Sequence, residues 1–135
     1  MISLGLYTLA ALAAFMVAAK YGLSPAPLAY HRTIIEQDGA VSTGTQRVIE
    51  ALYRVWGASL AGFGLCLLAL IWLAAPTGAA WPHLVILLAT IVVAVPTTIV
   101  PRRVEQDMGV KTPWRLAVGL LVAVGLGFLA WIIGY

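Results

Sequence analysis

The chain has 135 residues, of which 62% are hydrophobic and 10% charged, with a net charge of +3; soluble domains carry about 25% charged residues. A mean hydropathy of +0.99 places it with integral membrane proteins and excludes a water-soluble globule. The pI near 9.4 would suit nucleic acid, but the basic residues lie in loops and helix ends at membrane boundaries, so they read as topology signal and anionic-lipid contact.

The first run, 2–19, carries no charge, and no basic segment precedes it as a signal peptide would require. It reads as a retained membrane span, somewhat short against the ~20 residues a bilayer needs, with Lys20 as its stop. In the loop 20–43, Pro25 and Pro27 forbid a continuous helix, while Tyr30–Glu36 suits one or two interfacial turns. Thr43-Gly44-Thr45-Gln46 has the pattern of a capping box, so a second helix is expected over 44–75. Arg47, Glu50 and Arg54 fall three and four apart on one of its faces, where Glu50 can pair with either arginine.

A short uncharged turn, 76–82, leads to a third helix over 83–100, with Pro82 in its first turn. Pro96 should kink that helix and free a carbonyl for Thr97 or Thr98, and Pro101 should stop it. The stretch 102–115 then reads as a dense charged loop around which the spans are arranged. It holds half of the eight Lys/Arg residues. Thr112 as cap and Pro113 as first residue open the fourth helix, 113–134. The expected fold is all-α: a single polytopic domain, 1–135, of four transmembrane helices.

Lys20, Arg32, Arg47, Arg54, Arg102, Arg103, Lys111 and Arg115 all fall on one side of this arrangement. By the positive-inside rule that side is cytoplasmic and both termini face outward, in a bacterial-type inner membrane. Aromatics follow the same division, with Tyr21, Tyr30, Tyr53, Trp56 and Trp114 near the inner interface and Trp72, Trp81, Trp131 and Tyr135 near the outer one.

The triplets Glu36-Gln37-Asp38 and Glu105-Gln106-Asp107 are identical, and Pro27 matches Pro96 at the same sequence offset. This pattern fits two repeated hairpins related by an axis along the membrane normal; coincidence among few polar residues explains it equally well. Membrane helices approach where small residues recur every fourth position. Ala10-Ala14-Ala18, Ala58-Gly62-Cys66 and Gly119-Ala123-Gly127 supply such ridges on the first, second and fourth spans. They serve the bundle itself or a homo-oligomer. The third span, rich in Val, Ile and Leu, should face lipid more.

No Asp, Glu, Lys, Arg or His is expected at bilayer mid-depth, which argues against proton relays and ion-coupled transport. His31 and His83 belong to opposite membrane ends, too far apart to share one haem iron. Cys66, the one cysteine, reads as a small packing residue. His31, Glu36, Asp38, Glu50, Glu105 and Asp107 are metal-ligand types, but their spacing matches no motif, so no metal or cofactor is assigned. Acidic triplets paired with the loop arginines and holding the hairpins together are the preferred reading.

Gly109-Val110-Lys111-Thr112-Pro113-Trp114-Arg115-Leu116 resembles the Gly-Ile-Arg-Thr-Pro-Trp-Thr-Leu stretch of the SdpI-type membrane family, which includes immunity proteins against a secreted toxin. Gly109, Thr112, Pro113, Trp114 and Leu116 are identical, while Glu105 stands where that family has Asn. The resemblance implies a cytoplasmic-side turn into a helix and, more distantly, a protective function. The four-helix layout with a large first loop is also similar to the MAPEG glutathione-dependent enzymes. Arg47 and Glu50 are present here without that family's Asn.

The sequence therefore favours a non-enzymatic membrane accessory protein. Its charged face, built from His31, Arg32, Arg47, Glu50, Arg54, Arg102, Arg103, Lys111, Trp114 and Arg115, would bind a partner protein or anionic lipid. The alternatives are a MAPEG-like enzyme acting on lipid or thiol substrates, with its site near Arg47, Glu50 and Arg54, and an SdpI-like protective protein. Other subunits of a membrane complex are possible partners.

Overall fold

The computed structural model describes residues 1–37 and 39–134. Among these the chain is helical with no strand: α1 (Ile2–Leu23), α2 (Ala29–Gln37), α3 (Thr43–Ala69), α4 (Ala80–Met108) and α5 (Trp114–Ile132). A π-turn, Leu70–Ala74, and a 3-10 turn, Ala75–Thr77, prolong α3. Four helical stretches of 22, 35, 29 and 19 residues, with mean hydropathies of 2.0 to 2.5, are long and apolar enough to cross a membrane. Leu9, Met16, Leu52, Leu65, Leu73, Leu88, Val92 and Leu126 point outward. Such a surface is stable only against lipid; the protein is a multi-pass membrane protein.

α1 is the central helix. It packs on α3 along one side and on α5 along another, and α4 packs on α5. α4 reaches the α3 chain at the Leu70–Thr77 turns. Consecutive spans run antiparallel, so Lys20, α2, the start of α3, the end of α4 and the 109–113 turn share one end of the bundle. We call this the charged end. The termini and the 78–79 turn form the other.

Close approach follows small residues, though not all of the expected ones. Ala10, Ala14 and Ala18 of α1 are buried. On α3 the buried small residues are Gly57 and Gly64, whereas Ala58, Gly62 and Cys66 are exposed. A Cβ on Gly57 would sit 2.6 Å from the Gly22 backbone nitrogen, and one on Gly64 would sit 3.0 Å from the Phe15 ring. The physical reason is register: one face of α3 also carries Tyr53, Leu60 and Leu67, and seven-residue spacing keeps Gly57 and Gly64 on it. On α5, Gly127 meets the Tyr7 ring and Gly119 is open. As expected, α4 exposes much of its Val, Ile and Leu surface.

Three helix ends differ from the sequence expectation. α1 continues to Leu23, so Lys20 and Tyr21 are helical. Ser42, not Thr43, caps α3, its hydroxyl accepting from the Thr45 amide at 3.1 Å. α4 runs through Pro96 and Pro101 to Met108, so most of the supposed charged loop is helix. Each proline removes one intrahelical bond, to the carbonyl of residue 92 or 97. The Thr97 and Thr98 hydroxyls donate to the carbonyls of Val93 and Ala94 instead, one or two residues beyond the expected acceptor.

Candidate functional site

At the charged end α2 folds back over α1 and α3, and its side chains build a polar cluster. Ala26 and Leu28 anchor the entry to α2 against Tyr53, and Tyr21 and Tyr30 pack around them. The Tyr53 hydroxyl accepts from the Leu28 amide at 3.3 Å. Its own proton is thereby free for Nδ1 of His31, with which it shares a hydrogen bond. Tyr21 and Tyr30 are joined hydroxyl to hydroxyl, and the Tyr30 and His31 rings lie 3.9 Å apart. Burial holds the His31 imidazole below its ordinary pKa, in the neutral form that accepts from Tyr53. Burial, then the Tyr21 bond and charge, pushes the Tyr30 phenol well above its ordinary range.

Behind this cluster lies a cavity of about 340 Å³, bounded by α1, α3, α4 and α5. Its walls are apolar: alanines 13, 14, 94 and 117, with Leu60, Phe63 and Leu120. Its mouth carries Lys20, Tyr21, Tyr30 and His31. The cavity exists because α4 joins α3 at the π-turn of the uncharged end and leans on α5 elsewhere. A shallower groove between α2 and the start of α3 is lined by Arg32, Glu36, Gln46 and Ile49, among others.

The second assembly is the turn between α4 and α5. Gly109 adopts φ 68, the left-handed conformation that ends α4. Thr112 is buried and its hydroxyl donates to the Pro101 carbonyl at 2.9 Å, while its amide donates to Glu105 Oε2 at 2.9 Å. Thr112, expected from the sequence to cap α5, instead clasps the turn to α4. Its hydroxyl is consumed by the carbonyl seven residues before Met108, within reach only because α4 continues past Pro101. Arg115 pairs with Glu105 at 3.1 Å. The Arg102 and Arg115 guanidiniums lie 5.4 and 4.7 Å from the Trp114 ring centre, and the buried Trp114 indole nitrogen has no hydrogen-bond partner.

The expected binding residues thus fall into separate groups. His31 is half-buried in the aromatic cluster and Arg32 lies on the shallow groove. Arg102, Trp114 and Arg115 meet at the turn, with Arg103 and Lys111 exposed nearby. Arg47, Glu50 and Arg54 are exposed on α3 and line neither cavity. Among the described residues Arg115–Glu105 is the only ion pair, so Glu50 pairs with neither arginine. On an exposed helix face such a pair has little to gain. Among the described residues the triplets do not bridge the two hairpins either: Glu105 acts inside its own hairpin and Glu36 and Asp107 are exposed, while Asp38 lies outside the described residues. Among the described residues no three His, Cys, Asp or Glu side chains converge as a metal site would need.

The opposite end holds a buried Tyr–His pair with a half-buried tryptophan against it, a grouping not evident from the sequence. Tyr7 and His83 share a hydrogen bond of 3.3 Å, and the Trp131 ring stacks on His83 at 4.4 Å. His83, expected as the first residue of the third helix, is 2% exposed and lies inside the first turns of α4. Tyr7 gave a signal, as one of few polar side chains within the first span. Tyr135 lies outside the described residues.

No family model matches the chain, and neither a curated protein nor a solved structure matches it.

Proposed function

We propose that the protein is a non-enzymatic membrane component that gathers anionic lipid headgroups at its charged end. The supporting observation is excess positive charge. Eight basic residues against five acidic ones, a net +3, belong to this end of the chain's arrangement, and among the described residues Arg115 alone of the basic side chains is ion-paired. Arg102, Arg103 and Lys111 are exposed beside Trp114, a ring suited to the headgroup level. Each such cation near an anionic surface contributes about 1 kcal/mol. The same asymmetry supports an inner membrane location with this end cytoplasmic and both termini outside.

The direct test replaces Arg102, Arg103, Lys111 and Arg115 together by Gln. Native mass spectrometry of protein from mixed phosphatidylglycerol and phosphatidylcholine bilayers should show phosphatidylglycerol enriched on the wild type and near its bulk share on the variant. Equal enrichment on a folded variant contradicts the reading.

A further inference from the structure

We infer that the cavity between α3 and α4 is a site for one anionic phospholipid, which inserts an acyl chain among the alanines and sets its phosphate at Lys20. This rests on the reading that the charged end meets anionic lipid, but it uses residues other than the surface arginines. Three observations converge on that occupant.

First, the interior offers a polar guest nothing. The one hydroxyl on its wall, Thr97, already donates to the carbonyls of Val93 and Ala94 at 2.7 and 3.1 Å. An apolar chain loses no hydrogen bond by entering, whereas a polar group would. Second, the mouth selects for negative charge. Among the described residues Lys20 is its one formal cation, no Asp or Glu lines the cavity and no carboxylate pairs with Lys20. Tyr21 and Tyr30, joined hydroxyl to hydroxyl, stand beside it and leave one O–H of the pair to donate to a phosphate oxygen. Third, position and size agree. Polar mouth and apolar depth follow the order of headgroup and hydrocarbon across the charged-side leaflet, because α1 enters the cavity at Lys20 and leaves it at Ala13. Its volume, about 340 Å³, lies in the range of small-ligand sites, about 300–1,000 Å³. The four alanines on α1, α4 and α5 create that room.

Phe63 lines the cavity, and Leu88 of α4 is exposed and does not. The photoreactive residue benzoylphenylalanine is placed at each position in turn. Each protein is reconstituted in phosphatidylcholine bilayers containing a minority of phosphatidylglycerol, and the lipid adducts are identified by mass spectrometry. Position 63 should capture phosphatidylglycerol well above its bulk share, and position 88 should report the bulk ratio. Lys20→Gln, an exposed change that leaves the core intact, should lower the enrichment at position 63 about fivefold, the factor expected for one cation, and Lys20→Arg should restore it. Ala117→Phe should remove the adduct at position 63. The fourfold Gln variant of the surface arginines and Lys111 should leave enrichment at position 63 in place.

A bulk ratio at position 63 in the wild type would overturn the inference. So would enrichment that survives Lys20→Gln but disappears with the fourfold variant; that outcome returns the lipid to the surface arginines and leaves the surface reading standing.

Discussion

The two ends of the bundle treat their polar side chains in opposite ways. At the uncharged end Tyr7, His83 and Trp131 close on one another inside the packed spans, with Ser3 buried beside them. At the charged end Tyr21 pairs with Tyr30 and His31 with Tyr53, but Tyr21, Tyr30 and His31 line the mouth of a cavity beside Lys20, which among the described residues has no carboxylate partner. A polar group sealed in a membrane protein serves packing, because its bonds are already spent. One left at an open mouth is available to a ligand. The contrast follows from helix packing: α1 and α5 touch closely where Gly127 admits the Tyr7 ring, while α3 and α4 part toward the charged end.

The sharpest way to break this contrast is at the glycines. Gly57→Ala would push a methyl against the α1 backbone at Gly22, with no flexible side chain to yield. We expect a loss of about 3 kcal/mol, the upper range for overpacking, or failure to fold, read by thermal unfolding in detergent. Gly62→Ala, which meets open space, should leave the unfolding temperature unchanged or slightly raised. Equal effects at the two positions would refute the packing face described for α3.

Smaller effects distinguish the ends themselves. Thr112→Val removes the donor to the Pro101 carbonyl and should cost about 1 kcal/mol, with the α4–α5 turn exchanging its amides faster. Tyr7→Phe removes the bond to His83 and should cost about the same or less, since such bonds within membranes average about 0.6 kcal/mol. It should not alter lipid retention, whereas Tyr53→Phe, which loosens the cavity mouth, should.

The smallest effect is a pH dependence that His31 contributes at the charged end. The folded protein holds His31 neutral below the ordinary histidine value of 6.5. The unfolded chain then binds the proton more readily than the folded one. Stability should be full above pH 6.5 and fall as the pH is lowered from there toward the folded value. His31→Gln should reduce that slope in a pH series of unfolding temperatures.

Much of this was legible in the sequence. Span number, the side bearing the cations and the buried alanine ridge of α1 follow from hydropathy, charge placement and spacing, which act locally. The extent of α4 did not, because Pro101 stands where the hydrophobic run gives way to charge and reads as a stop, whereas the helix continues past it and Thr112 of the following turn donates to its carbonyl. Nor was the α3 face legible: Ala58, Gly62 and Cys66 satisfy the spacing rule, but contact with α1 is decided by which face also carries Tyr53, Leu60 and Leu67. Tyr53 and His31 come together only because α2 turns back, a tertiary event with no motif. The cavity is a gap between spans distant in sequence, so no single stretch encodes it.

The central claim is that anionic lipid acts at one end of the molecule only. Hydrogen–deuterium exchange in lipid nanodiscs, comparing pure phosphatidylcholine with a phosphatidylglycerol mixture, tests it directly. The account predicts added protection over 20–37 and 102–116 in the anionic bilayer, with 72–84 unchanged. Protection that rises equally at both ends, or at neither, would contradict it.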